Sequence, residues 1–169
     1  MLHRLATLTA AGAVLVPLIN AAPAAAAPCD GLGEADAVVC EVNRARSVRG
    51  LEPVVKDRRL QRAAAAHARD MTARGYFSHV TPEGERLSDR LRQASYISGR
   101  VPWRVGETLA WGQRSMATPA AAVAGWMRSP PHRRVILGRY DEIGVGVADG
   151  VPSGGPGATF AADLGWLGG

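Results

Sequence analysis

The stretch Trp126-Met127-Arg128-Ser129-Pro130-Pro131-His132-Arg133 decides how this chain folds. Just upstream, Thr118-Pro119 has the form of an N-cap followed by proline at the first helical position, where a missing N–H costs nothing. Ala122, Val123, Trp126 and Met127 then fall on one face at helical spacing. Pro130 and Pro131 cannot extend that helix, so a turn is expected there, with His132 emerging just beyond the break. A tryptophan anchor, a stiff exit and a histidine at a fixed place suit an imidazole held for use. A loop histidine between two structural elements is the competing reading.

Working back from this stretch, the chain reads as a series of amphipathic helices. The first is expected over Glu34 to Arg49, with Ala35, Val38, Val39, Val42 and Ala45 as its apolar stripe and Gly50 closing it. Its charges follow the helix dipole, with Glu34 and Asp36 in the first turn and Arg46 and Arg49 in the last. Asp57 reads as the N-cap of a second helix, whose Leu60, Ala63, Ala64, His67, Ala68 and Met71 recur at i, i+3, i+4 before Gly75. His67 lies inside that stripe and reads as a core residue. A third helix is expected over Arg86 to Tyr96.

Strands follow. Val105 to Trp111 is a short, mostly apolar run that contains Glu107, a carboxylate that must be edge-exposed, paired or bound. Glu142 to Ala148 alternates around Ile143, Val145 and Val147, and Ala158 to Leu164 follows a glycine-rich connection, so these two segments read as a hairpin with a long loop. Helices first and strands mostly last predict an α+β fold, a small antiparallel sheet with helices packed on it, in one domain.

The opening residues read as an address. His3 and Arg4 precede an apolar run from Leu5 to Ile19 that Pro17 interrupts, and Ala21 to Ala27 offers small-residue cleavage sites. Residues 1–27 are thus expected to be a secretory signal peptide, with an uncleaved anchor as the alternative. No transmembrane segment is expected once the signal is removed, and residues 28–169 form the exported domain. In an oxidising compartment Cys29 and Cys40, the only cysteines, are expected to form a disulfide, with a catalytic thiol as the rival reading.

The net charge of +5 and pI near 10.0 come almost wholly from arginine, since Lys56 is the only lysine. An exported basic protein meets anionic polymers and lipid head groups, so anionic surfaces are expected contacts. Nucleic acid is not an expected partner, because no basic run is interleaved with aromatics.

Taken together, the residues resemble the CAP superfamily (cysteine-rich secretory, antigen 5 and pathogenesis-related-1 proteins) in its compact bacterial form. The resemblance is carried in order by Asn43-Arg44-Ala45-Arg46, Phe77-Ser78-His79 with Pro82 and Gly84, and Gly106-Glu107. The Trp126–Arg133 stretch with Ile136-Leu137, and Ile143-Gly144-Val145-Gly146, complete it. It implies an α-β-α sandwich around a central antiparallel sheet, with a cleft lined by His79, Glu107 and His132. A second glutamate found in animal and plant members would fall on Ser129, which leaves the four-residue set incomplete. Thr108 and Val135 stand where the family often has asparagine, and Pro131 where it usually has glycine.

Three functions are compatible with this sequence. One is a secreted binding module whose His79, Glu107, Ser129 and His132 line a cleft for a lipid-like or envelope-derived ligand. Another is a hydrolase using zinc or another divalent metal on His79, Glu107 and His132, a credible first shell with an open position. Such an enzyme also needs a general base, and with serine at position 129 the obvious one is missing. A serine hydrolase built on Ser129 and His132 has no orienting carboxylate and is the weakest reading. The binding module is preferred over any enzyme, with no catalytic residue assigned.

Overall fold

A computed structural model describes residues 29–168; the expected signal segment, residues 1–27, lies outside them. Helix α1 (Glu34–Ser47) is followed by a two-residue strand β1 (Val55–Lys56) and helix α2 (Arg58–Arg74). Helix α3 (Leu87–Gln93), strand β2 (Trp103–Gly112) and helices α4 (Pro119–Arg128) and α5 (Pro130–Ile136) come next. Strands β3 (Glu142–Asp149) and β4 (Ala158–Leu167) close the chain.

The caps explain the boundaries. The Asp57 carboxylate accepts from the N–H groups of Arg59 (2.7 Å) and Leu60 (3.1 Å), and Gly75 ends α2 at φ 70°. Thr118 opens α4 by accepting from Ala121 N–H at 3.2 Å. Helix α3 stops earlier than its sequence pattern, because Ser95 takes a positive φ of 61° and turns Tyr96 into the core. The turn expected at Pro130-Pro131 is instead the start of α5. Both prolines occupy opening positions of that helix, where no intrahelical N–H is required, so His132 lies in its first turn rather than in a loop.

The sheet has the order β1-β3-β4-β2. Strands β2, β4 and β3 are antiparallel as expected, whereas β1 runs parallel to β3. Helices cover both faces, giving the expected α-β-α layering. On one face Val38 and Val42 of α1 and Trp126 of α4 bury themselves against Val145, Phe160, Ala162 and Leu164. On the other, Ala64, Ala68 and Met71 of α2 meet Leu109, Ala148 and Ala161.

Two glycines set how close α2 comes. A Cβ at Gly144 would lie 2.0 Å from the backbone N of Gln61, and one at Gly146 would lie 2.3 Å from Ala65 Cα. The alanine-rich helix therefore rests directly on the β3 backbone. Arg46 ties the other layer together. Its buried guanidinium donates to the carbonyls of Glu52, Ile136 and Gly138, each at 2.9 Å, and so satisfies the end of the helix that carries His132. Cys29 and Cys40 form a disulfide, as expected, which joins the entry segment to α1.

Candidate functional site

Among the described residues strand β2 pairs only with β4 and so forms one edge of the sheet. The side chains of Glu107 and Leu109 point toward the α2 layer, and Glu107 sits opposite Asp163 of β4. Gly106 lets α5 close on the strand, since a Cβ there would lie 2.6 Å from the Tyr140 hydroxyl and 3.0 Å from Val135. Trp126 locks α4 onto the same strand by donating from Nε1 to the Leu109 carbonyl at 2.9 Å.

Glu107 is almost wholly buried and both its oxygens are engaged. Oε2 accepts from His79 Nδ1 at 2.6 Å, and Oε1 accepts from Arg90 Nη2. Arg90 also donates to the carbonyls of His79 (3.2 Å) and Glu85 (3.4 Å), so it fixes the loop as well as the carboxylate. Burial raises the Glu107 pKa, but the His79 hydrogen bond and the charge of Arg90 outweigh it and hold the carboxyl below its ordinary range. An ionised carboxylate only accepts, so His79 Nδ1 must carry a proton. The His79 side chain is 54% exposed, in contrast to its partner. The edge bearing Nε2 is therefore the one left for a ligand.

His67 supports this arrangement from beneath. It is buried, as its place in the apolar stripe predicts, and its Nε2 donates to the Ser78 carbonyl at 2.9 Å. Burial lowers its pKa and favours the neutral ring. Tyr76 donates to Asp70 at 2.5 Å and brings its hydroxyl within 3.4 Å of His67 Nδ1. Tyr76 and Ser78, on either side of Phe77, are thus pinned to α2.

His132, half-buried on α5, has its pKa lowered, first by burial and then by the neighbouring His79 imidazole. Ser129 joins α4 to α5 at half-buried depth, and its hydroxyl makes no cap to the helix it precedes. The three expected metal ligands are not gathered as three open donors. Among the described residues no group of three or more His, Cys, Asp or Glu side chains is placed to hold a metal ion. The physical reason is plain at Glu107, whose oxygens already serve His79 and Arg90. The side chains present therefore do not fit a three-ligand centre.

Two members of the cluster escaped the sequence reading. Arg90 sits on an amphipathic helix, where arginine ordinarily faces solvent. Asp163 is fully buried, and among the described residues neither of its oxygens has a hydrogen-bond partner. Burial and then the neighbouring Glu107 charge raise its pKa well above the ordinary value, so it is held neutral. Its signal was available, since it is a lone carboxylate in an apolar strand, as Glu107 is. A separate cleft of about 480 Å³ lies on the other side of Arg90, between α2, α3 and the turn at Thr81, and includes His67, Asp70, Glu83 and Glu85 in its wall. His79, Glu107 and His132 do not line it.

A family model described as CAP, the cysteine-rich secretory protein family, matches residues 39–156. The chain is 34% identical over 113 residues to the uncharacterized protein YkwD of Bacillus subtilis (strain 168), covering 66% of this chain and 41% of that protein. It is 35% identical over 107 residues to the uncharacterized membrane protein YlbC of the same organism, covering 62% of this chain and 29% of that protein. The chain thus spans less than half the length of the curated relatives it matches. Among solved structures, an extracellular SCP-domain protein from Bacillus anthracis str. Ames aligns with a TM-score of 0.65 at 27% identity, over 78% of this chain and 39% of that one. An outer surface protein from Borrelia burgdorferi aligns with a TM-score of 0.64 over 77% of this chain and 90% of that one; at 18% identity this likeness shows the fold alone.

Proposed function

The chain belongs to the cysteine-rich secretory protein (CAP) family, and on that premise we propose that it works outside the cytoplasm as a binding module. In this reading a lipid-like or envelope-derived ligand is held at the surface formed by His79 and His132, beside the exposed Phe77 and Val80. One observation carries the reading: Glu107 is committed on both oxygens, to His79 and to Arg90. A carboxylate fixed in this way orients an imidazole and is not itself free to activate water. Apolar side chains next to one directed polar edge suit capture of an amphiphilic molecule.

The export part of the proposal is supported by the basic, apolar, alanine-rich start of the chain and by relatives named as extracellular or outer-surface proteins. The metal reading becomes a weaker proposal. Zinc on His79 and His132 would have two protein ligands, with Glu107 orienting His79 from behind. Its binding is expected to be modest and to weaken as pH falls, because protons compete with the metal for the imidazole nitrogens.

Native mass spectrometry of protein recovered from its own culture medium tests the proposal. The expected result is a small-molecule adduct on the wild-type protein that His79→Ala loses. A bare wild-type mass, or an adduct that His79→Ala retains in full, contradicts it.

A further inference from the structure

Two hollows on this molecule carry three arginines each, and they differ in what faces them. In the cleft between α2 and α3, Arg62, Arg74 and Arg90 stand among Asp70, Glu83 and Glu85, and Arg74 pairs with Glu83 at 2.5 Å. On the other layer, a hollow of about 440 Å³ at the α4–α5 junction is lined by Arg128, Pro130, Arg133, Arg134 and Leu137. Among the described residues no carboxylate lines it. Among the described residues none of its three guanidinium groups has a hydrogen-bond or ion-pair partner.

Each of these arginines lies in the last turn of its helix, where the carbonyl end of the dipole favours a cation. That accounts for each one singly. It does not account for three like charges around one hollow, which repel each other without a counter-charge. A guanidinium offers a planar fork of donors that matches oxyanions bidentately. One fork satisfies a planar carboxylate, whereas the tetrahedral oxygens of a phosphate present faces to several. Pro130 and Leu137 add an apolar wall against which the carbon side of an ester can rest.

We propose that the hollow lined by Arg128, Arg133 and Arg134 is a phosphoester-binding site. It stands independently of the His79 surface, since none of its residues belongs to the His79–Glu107–Arg90 chain. The guanidinium Nε–H signals of the protein, titrated with glycerol 3-phosphate, provide the first test. Saturable shifts are expected at Arg128, Arg133 and Arg134 ahead of the other arginines. The second is co-sedimentation with phosphatidylcholine vesicles containing phosphatidylglycerol.

R133Q/R134Q is expected to weaken binding about tenfold or more, by loss of two charge-assisted forks. R58Q/R69Q removes the same charge from two exposed positions on α2 and is expected to change it less than about twofold. Saturation by glycerol 3-phosphate assigns the site to free phosphoesters. Vesicle binding that only R133Q/R134Q weakens, without such saturation, assigns it to a lipid head group; either outcome upholds the site. Unsaturable shifts spread over all arginines without vesicle binding, or equal losses in both double variants, overturn it.

Discussion

Glu107 and Asp163 are neighbours across two strands, yet their surroundings push them in opposite directions. Glu107 is held ionised by His79 and Arg90, and Asp163 is held neutral by burial and by Glu107 itself. Replacing Glu107 by glutamine leaves Arg90 buried without its counter-charge, so a loss of about 3 kcal/mol is expected in denaturant unfolding. Replacing Asp163 by asparagine should have the reverse sign above neutral pH. Because the folded pKa of Asp163 lies above its unfolded one, its protonated form contributes stability that is complete below about 3.8 and lost as pH rises through the folded value. Asp163→Asn cannot ionise, so thermal scans from acid to alkaline pH should show a higher, flatter Tm on the alkaline side. An unchanged slope would show that the folded pKa of Asp163 is not raised above its unfolded one. Glu107 was legible in the sequence because a charge in an apolar strand needs a partner. Arg90 was not, because only the tertiary contact with Glu107 makes its helix face an interior one.

At the scale of elements, close approach matters more than periodicity. The Ile143-Gly144-Val145-Gly146 run reads as an alternating strand, but its glycines exist to admit α2. Gly146→Ala puts a methyl 2.3 Å from the backbone of Ala65 and should destabilise by about 1–3 kcal/mol, since the obstacle is backbone that cannot rotate aside. Gly125→Ala, inside α4 with nothing within 4 Å of the new methyl, should stabilise by about 0.5–1 kcal/mol. Paired urea titrations check both signs in one experiment. Caps and apolar stripes made α1, α2 and α4 readable, with only α1 ending earlier than expected, at Ser47 instead of Arg49. Helix α5 was missed because prolines that end one helix also suit the first turn of the next. Strand β1 was missed because two residues have no period; its place is fixed by Asn43, whose amide exchanges hydrogen bonds with the Val54 N–H (2.8 Å) and carbonyl (3.0 Å).

On the scale of the molecule, one disulfide, one sheet and two helical layers hold a chemically sparse surface in place. The Cys29–Cys40 loop is short, so reducing it should lower stability by about 2–3 kcal/mol, read as a shift of the urea midpoint. Among the described residues no helix is long and apolar enough to cross a membrane. The fold class and family were legible because motifs spread over the whole chain had to meet on one framework. The roles within the site were not, because sequence spacing cannot say whether Glu107 faces a ligand or stands behind a histidine. The function proposed for His79 turns on that distinction. It is measured most directly by the ring-nitrogen chemical shifts of His79 at about pH 9, well above the histidine range. A protonated Nδ1 held by Glu107 and a bare Nε2 facing solvent are expected, with that preference lost in Glu107→Gln. A proton on Nε2 in the wild-type protein would contradict the proposal.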